Sequence, residues 1–262
     1  MDSLRHPILF IRALLFYIGF LVSIITISTI AITVGRFWSF ENRYRFISLW
    51  PRFTLWWLTV SCSISYDIKG LDNIRQLTDQ KTNAIILSKH QCTWETCFIQ
   101  TIVSPTSTAV KKELLRTPFF GWAIALLKPL IIDRDQKTNT LKQLLVQGKD
   151  RLKEGTWVLL FPEGTRVLPG EQVPFTVGGA MLATQSGYPV FPIAHNAGEY
   201  WPAKSFIKYP GTIKVVIGEK IESKNLKPKQ LNQAVQDWIN TTMCEISQME
   251  KETADKQSRR QP

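Results

Sequence analysis

The sequence predicts an α/β fold in which a mixed, mostly parallel sheet is flanked by helices and is preceded by an N-terminal membrane helix or helical hairpin. Strand-like and helix-like segments alternate from residue 65 onward, as they do in sheets that are covered by helices. An uncharged segment from Ala13 to Val34 precedes them. The length of 262 residues suits one sizeable core.

The regular elements are expected between residues 65 and 250. Strands are expected at Ser65–Ile68, Ala84–Ser88, Thr108–Lys111, Pro129–Ile132, Trp157–Phe161, Val190–Ala194 and Thr212–Ile217. Helices are expected at Thr93–Ile102, Phe119–Leu127, Thr138–Lys153, Gly179–Ser186 and Lys229–Met249. These elements predict three regions: a membrane anchor with an interfacial helix in 1–64, an α/β domain in 65–250, and a polar tail in 251–262.

The uncharged N-terminal segment is long enough to cross a bilayer. As a helix it would extend roughly 33 Å, close to the hydrocarbon thickness. A cleaved signal peptide would have a shorter apolar region followed by small residues. Here the segment is followed by Gly35-Arg36-Phe37-Trp38, so we expect a retained anchor.

A second apolar stretch, Phe46 to Ile64, has a different character. It contains Pro51-Arg52 and Trp56-Trp57, which favour an interfacial helix with its tryptophans at headgroup level over a second span. A hairpin of both segments that dips into one leaflet is the alternative. Arginines are more frequent after the first segment than before it, which favours the cytoplasmic side for the rest of the chain.

The composition favours anionic partners. Lys and Arg outnumber Asp and Glu by 32 to 21, which suits nucleic acid, an acidic membrane surface or a phosphorylated substrate. Nine tryptophans and fourteen phenylalanines point to anionic membrane lipid, and no zinc-finger or RNA-binding signature supports nucleic acid. Four residues separate Cys92 from Cys97, but no second Cys/His pair completes a zinc site, so we expect reduced thiols and no metal site.

His90 and Glu95 form the first candidate pair for chemistry. They follow the apolar run Ala84–Leu87, so His90 would lie in the turn after a buried strand and Glu95 in the first turn of the next helix. The carboxylate could then orient an imidazole that acts as a base near neutral pH. On these residues alone, a carboxylate that merely complements the helix dipole is an equal alternative.

A second candidate segment is Phe161-Pro162-Glu163-Gly164-Thr165-Arg166, which ends another strand-like run. Glycine allows the backbone to approach a ligand closely, and arginine offers a two-pronged donor suited to phosphate. An ordinary strand-to-loop turn with a surface ion pair is the alternative.

Together the two segments resemble the glycerolipid acyltransferases, specifically the bacterial 1-acyl-glycerol-3-phosphate acyltransferases. The resemblance covers roughly residues 65–220 and includes four further segments in family order. These are Val110-Lys111-Lys112-Glu113-Leu114, Pro118-Phe119-Phe120-Gly121, Ile132-Asp133-Arg134 and Pro189-Val190-Phe191-Pro192-Ile193-Ala194-His195-Asn196. Family members usually have aspartate where this chain has Glu95, which adds one methylene to the arm that orients the histidine.

The resemblance implies that residues 65–250 are a catalytic domain that transfers an acyl chain to the sn-2 hydroxyl of lysophosphatidic acid. His90 would be the base and Glu95 the residue that orients it. The substrate-binding set implied by the family is Lys112, Arg134, Glu163, Gly164, Thr165 and Arg166. Asp133 and Arg134 fit an ordinary ion pair at a strand end equally well. The resemblance gives no catalytic role to Cys92, and His195 is expected to be structural.

No cofactor is implied by the resemblance, and the acyl donor would be acyl-CoA or acyl-carrier protein. The expected location is the inner, cytoplasmic membrane. Acylation of another lysolipid, such as a lysophospholipid or an ornithine-type lipid, is an alternative. A hydrolase with a cysteine or serine nucleophile and a non-catalytic lipid-binding protein are two others, but the sequence contains no G-x-S-x-G nucleophile elbow.

Overall fold

The computed structural model of the chain describes residues 5–80, 82–133, 137–247 and 249. It divides into two compact units, the first made of Met1–Cys62 and Thr96–Leu159 and the second of Ser63–Glu95 and Leu160–Pro262. The predicted boundary after residue 64 lies two residues from the first change of unit, which falls between Cys62 and Ser63. The other two changes of unit, after Glu95 and after Leu159, were not predicted. The predicted polar tail, 251–262, lies outside the described residues.

Within the described residues the chain forms seven strands and ten α-helices. The strands are β1 (Ile64–Lys69), β2 (Ile85–Ser88), β3 (Thr106–Lys111), β4 (Leu130–Ile132), β5 (Trp157–Leu160), β6 (Val190–His195) and β7 (Gly211–Ile217). The helices are α1 (Arg5–Thr33), α2 (Phe40–Ile47), α3 (Leu49–Cys62), α4 (Leu71–Asp79), α5 (Trp94–Ile102), α6 (Phe120–Ala125), α7 (Lys137–Lys153), α8 (Gly178–Ser186), α9 (Ala197–Tyr200) and α10 (Pro228–Ile246).

The predicted strands are all present, each within about two residues of its expected ends. The five predicted helices correspond to α5, α6, α7, α8 and α10. Strand β3 pairs in parallel with β4 and β5 in the first unit. In the second unit β1 pairs in parallel with β7 and β2 with β6, whereas β6 and β7 are antiparallel. The fold is therefore α/β with mixed, mostly parallel strand pairing, as predicted.

The N-terminal part of the first unit is a helical hairpin, because α3 runs antiparallel along α1. The Nε of Arg12 donates to the carbonyl of Ser61 at 2.8 Å. This hydrogen bond joins the start of α1 to the end of α3. Further along the two helices, Trp57 Nε1 donates to the carbonyl of Leu15 at 3.1 Å. Helix α1 is apolar and long enough to cross a membrane, with a mean hydropathy of 2.5 in its most apolar window. The length and composition of α1 thus suggest membrane association.

The second unit has its core around two strands that are buried on both faces. Every residue of β2 and of β6 is buried, as expected for parallel neighbours that are covered by helices. Helix α10 presents the buried stripe Leu231, Val235, Ile239 and Met243 to this core at helical spacing. This packing fixes the ends of β2 and β6, from which the candidate site is built.

Gly19 in α1 allows the two helices of the hairpin to approach closely. A Cβ atom at Gly19 would overlap the indole of Trp57, whereas one at Gly35 would meet only ordinary contacts, the nearest at 3.6 Å. We therefore expect Gly19→Ala to displace Trp57 and destabilise the protein by about 1–3 kcal/mol, the usual cost of overpacking. Gly35→Ala serves as the matched control and should change stability by less than about 0.5 kcal/mol. Thermal unfolding in detergent measures both, and equal midpoints for the two variants would contradict this account of Gly19.

Candidate active site

Two loops of the second unit form the site. The first loop, residues 89–93, joins the end of β2 to the start of α5. The second begins at Phe161, directly after β5, and continues to Val167. The two loops are joined through their backbones, since the N–H of Val167 donates to the carbonyl of His90 at 2.8 Å. The predicted pair and the predicted arginine segment therefore lie side by side.

The carboxylate of Glu95 accepts hydrogen bonds from several groups of the first loop. Its Oε1 lies 2.7 Å from Nδ1 of His90 and accepts the backbone N–H groups of Gln91 at 2.9 Å and Cys92 at 2.8 Å. Its Oε2 accepts the Cys92 thiol at 3.1 Å. The helix therefore returns Glu95 to the loop that precedes it, as the spacing of His90 and Glu95 predicted.

Glu95 is ionised in this environment although its side chain is fully buried. Burial is the largest single influence and would raise the pKa of Glu95, but the hydrogen bonds from His90 and Cys92 and the nearby imidazoles of His90 and His195 together lower that pKa to about 2. An ionised carboxylate can only accept hydrogen bonds. His90 must therefore carry its proton on Nδ1, which leaves the lone pair of Nε2 available.

The imidazole of His90 is held by packing as well as by Glu95. Its ring stacks on Phe161 at 3.9 Å between centroids with an interplanar angle of 14°. The side chain is 17% exposed, and its Nε2 has no hydrogen-bond partner within the described part of the chain. This nitrogen is thus free to take a proton from a bound molecule.

The loop that carries Arg166 turns at Gly164. The N–H of Gly164 donates to the carbonyl of Phe161 at 3.0 Å, and Gly164 has a φ of 71°, a value that favours glycine. Arg166 is exposed and donates from Nη2 to the hydroxyl of Thr93 at 3.2 Å. Since a guanidinium has five N–H donors, this single bond leaves donors for an anion near His90.

Glu163 lies beneath this loop with a buried carboxylate. Its Oε2 accepts the backbone N–H of His90 at 2.6 Å, and its Oε1 lies 2.7 Å from Nζ of Lys89. Oε2 is thus hydrogen-bonded, whereas Oε1 is held by its ion pair with Lys89, which suits a residue that shapes the loop. Contact of Glu163, Gly164, Thr165 and Arg166 with a substrate stays a prediction.

The two other predicted binding residues belong to the first unit. Lys112 lies in the 3-10 helix Lys112–Arg116, is 57% exposed, and places Nζ 3.8 Å from Oδ2 of Asp133. The pair is long and largely solvated, so it contributes little to stability. Arg134 lies outside the described residues.

Cys92 is close to His90 in the sequence but is unsuited to be a nucleophile. Its thiol is fully buried and donates to Glu95. Burial, followed by the charge of Glu95, raises the pKa of Cys92 well above its ordinary value. The thiol therefore stays protonated, in agreement with the sequence-based expectation that Cys92 has no catalytic role.

His195 is structural, as the sequence suggested. It is fully buried at the end of β6, and burial lowers its pKa. Its Nε2 lies 2.9 Å from the carbonyl of Lys89, and its Nδ1 accepts the N–H of Ala197 at 3.3 Å. His195 is thus a neutral donor that supports the backbone immediately before His90.

Lys89 and Phe161 contact His90 or its supports, and the sequence-based site did not include them. A lysine directly after the buried run of β2 was the available signal for Lys89, because lysine is rarely fully buried unless it is paired. Phe161 begins the second candidate segment but was given no role, because its contact with His90 depends on the meeting of the two loops.

Comparisons with known proteins identify the family of the chain. The family model described as Acyltransferase matches residues 65–196, which include both loops. A 1-acyl-sn-glycerol-3-phosphate acyltransferase from Pseudomonas aeruginosa is 46% identical over 241 residues, covering 90% of this chain and 92% of the relative. The chain belongs to the acyltransferase family.

More distant proteins extend the comparison. An enzyme of the same name from Escherichia coli is 35% identical over 125 residues, covering 45% of this chain and 50% of the relative. The crystal structure of a 1-acyl-sn-glycerophosphate acyltransferase, PlsC, from Thermotoga maritima matches with a TM-score of 0.75 and 22% identity. That match covers 94% of this chain and 97% of the other, so the two proteins share a fold.

The raised pKa of Cys92 predicts its reactivity toward a thiol reagent. We expect iodoacetamide at neutral pH to modify the partly exposed Cys244 first and buried Cys92 at least about 100-fold more slowly, because the thiolate is the reactive form. Mass spectrometry of labelled peptides measures both rates. In denaturant the two cysteines should react alike, and fast labelling of Cys92 in the folded protein would contradict the assigned protonation state.

Proposed function

We propose that the protein transfers an acyl chain from an acyl thioester to the sn-2 hydroxyl of 1-acyl-glycerol-3-phosphate, which gives phosphatidic acid for phospholipid synthesis. The observation that carries this proposal is an imidazole oriented by an ionised carboxylate and placed beside an exposed arginine, in a chain of the acyltransferase family. The name of the 46% identical relative supports the choice of acceptor.

The base step follows from the protonation state of the pair. Nε2 of His90 accepts the proton of the acceptor hydroxyl as that oxygen forms a bond to the thioester carbonyl carbon. The tetrahedral intermediate then breaks its C–S bond, and the proton on Nε2 passes to the leaving thiolate. The products are an ester and a thiol, so the step balances without an acyl-enzyme or a resident cofactor.

Glu95 supports this step through charge and orientation. During the reaction His90 becomes an imidazolium whose Nδ1–H still points at Oε1 of Glu95, 2.7 Å away. The buried anion stabilises that cation, as the carboxylate of a serine-protease triad stabilises its histidine. Because two backbone N–H groups hold the same oxygen, the carboxylate does not need to reorganise when the proton arrives.

Arg166 is the group best suited to bind the phosphate of the acceptor. It is exposed, lies on the loop whose Val167 bonds the His90 backbone, and has donors beyond the one used by Thr93. Charge-assisted bonds to phosphate would place the acceptor hydroxyl near Nε2. Lys112 and Arg134 are proposed as further phosphate ligands on the basis of the family resemblance.

The acyl donor and the location complete the proposal. The donor is acyl-CoA or acyl-carrier protein, both of which are acidic and suit a chain with a formal charge of +11. Anionic lipid of the inner, cytoplasmic membrane is the proposed surface, with α1 as the anchor and the second unit on the cytoplasmic side. A transfer assay with purified protein, both donors and a panel of lysolipid acceptors tests donor and acceptor together. Preference for another lysolipid would replace lysophosphatidic acid as the substrate.

Removal of His90 and removal of Arg166 should affect different kinetic constants. We expect His90→Ala to lower kcat by about 100-fold or more, because the general base is lost. Arg166→Ala should instead raise KM for lysophosphatidic acid by at least about tenfold, the usual effect of losing a charge-assisted bond. Steady-state kinetics with varied acceptor concentration separates the two effects.

The control for Arg166→Ala is Lys220→Ala, which removes one positive charge from an exposed pair with Glu222 in the same unit. This control should leave KM unchanged. Monoacylglycerol, which lacks the phosphate, should be used equally well by the native protein and by Arg166→Ala. Full activity of His90→Ala would exclude His90 as the base.

We expect activity to require both the charge and the full side-chain length of Glu95. Aspartate shortens the arm by one C–C bond, about 1.5 Å, so it cannot hold His90 and both backbone donors at their present distances. We expect Glu95→Asp to lower kcat about 10-fold to 100-fold and Glu95→Gln about 1,000-fold or more.

The pH dependence of these variants follows from the pKa of about 2 at Glu95. The carboxylate stays ionised throughout the range from about pH 5 to pH 9, so Glu95 itself adds no limb to the pH profile there. A changed pH profile in Glu95→Gln would therefore report the loss of the charge beside His90 and not a titration of position 95. A Glu95→Asp protein within twofold of native kcat would mean that the loop adjusts to the shorter arm.

A further inference from the structure

A buried ion pair lies directly behind the proposed base. Lys89 and Glu163 have side chains that are 1% and 0% exposed, and their charged atoms are 2.7 Å apart. Lys89 also donates from Nζ to the carbonyl of Glu171 at 3.4 Å. Two charges are costly to bury, and they are retained only where each satisfies the other. We therefore expect this buried ion pair to have a role in the site.

The ion pair supports the backbone of Lys89 and His90, whose two N–H groups and two carbonyl groups all have hydrogen-bond partners. The N–H of Lys89 donates to the carbonyl of Ile193 at 3.0 Å, and the carbonyl of Lys89 accepts from His195 at 2.9 Å. The carbonyl of His90 accepts the N–H of Val167 at 2.8 Å. In these three contacts the partner is a backbone carbonyl, a neutral ring and a backbone N–H group, respectively.

The fourth contact is different in kind. The N–H of His90 donates to Glu163 at 2.6 Å, so this contact has a buried carboxylate as its acceptor. That carboxylate keeps its place because its other oxygen lies against Lys89. Without Lys89 the carboxylate would be a buried charge lacking its cation, and it would relax by taking up a proton or by moving toward water. Either change would weaken the hydrogen bond that holds the backbone N–H of His90.

We propose that Lys89 is a positioning residue, which fixes the backbone of His90 through Glu163 and so holds the imidazole against Glu95. This inference rests on the proposed acyl transfer, in which Nε2 of His90 must meet the acceptor hydroxyl. A displacement of about 1 Å in a reacting group is enough to reduce a rate about 100-fold. Lys89 acts through Glu163 and touches no reacting atom, so its removal should lower kcat while leaving acceptor binding intact.

The test uses the full chain and the variants Lys89→Met, Glu163→Gln and the double variant. Lys89→Met should lower kcat about 100-fold and change KM for lysophosphatidic acid by less than about twofold. Glu163→Gln should lower kcat similarly, because it leaves Lys89 without an anion. The double variant should recover kcat to within about tenfold of native, since glutamine can still accept the N–H of His90 and no buried charge remains.

Lys208→Met is the matched control, because it applies the same change to another lysine that is 1% exposed in the same unit. Nζ of Lys208 donates to the carbonyls of Ser205 and Phe206, at 3.0 Å each, within its own loop. We expect Lys208→Met to lower the melting temperature and to leave kcat within twofold of native. A purely structural role for Lys89 would give the same result in Lys89→Met.

Amide hydrogen exchange provides a readout that does not require turnover. Peptides covering residues 86–94 should exchange faster in Lys89→Met than in the native protein, the double variant or Lys208→Met. Native kcat in Lys89→Met, or a double variant with the product of the two single losses, would overturn the proposal.

Two further outcomes are also decisive. If Lys89→Met does not fold, the double variant carries the test: kcat near native supports the proposal, and a loss of about 100-fold or more overturns it. If the native protein transfers no acyl chain, the proposed function fails. In that case amide hydrogen exchange in residues 86–94 still decides whether Lys89 fixes the backbone of His90.

Discussion

Four hydrogen-bond donors from one short loop converge on the two oxygens of Glu95, and they keep this fully buried carboxylate ionised. Its charge determines which nitrogen of His90 carries a proton and which nitrogen is left for chemistry. Burial and, after it, the charge of Glu95 keep the neighbouring thiol of Cys92 protonated. The buried carboxylate thus orients the proposed base and helps to exclude a competing thiolate nucleophile.

The rest of the second unit holds this loop in place. Strands β2 and β6 are buried along their whole length, so the loop starts from a rigid edge. His195 at the end of β6 supports the carbonyl before His90, and Val167 supports the carbonyl of His90 itself. These supports come from separate parts of the chain, and each contributes one contact. Such a scaffold gives the imidazole its orientation before any substrate binds.

The sequence predicted what depends on local pattern and missed what depends on contact between distant segments. The strands were predicted because apolar runs such as Ile85–Leu87 mark buried β-structure. Helix α4 was missed although Leu71, Ile74 and Leu77 recur at helical spacing along its nine residues. The pairing of His90 with Glu95 was one of two equal interpretations of the local sequence, and the family resemblance favoured it. The burial of Lys89 against Glu163 did not, because the partners lie far apart in sequence and only the folded chain brings them together.

The hydrogen bond from the amide N–H of His90 to the carboxylate of Glu163 joins residues that are 73 positions apart. Closing a chain segment of that size carries an entropic cost that must be met before the contact forms. The helical turn that contains Glu95 can form early, because it needs only its neighbours. The proposed base, in contrast, reaches its observed geometry only after the segment between the two loops has folded back. On refolding, the proposed activity should therefore return only when the two loops have met.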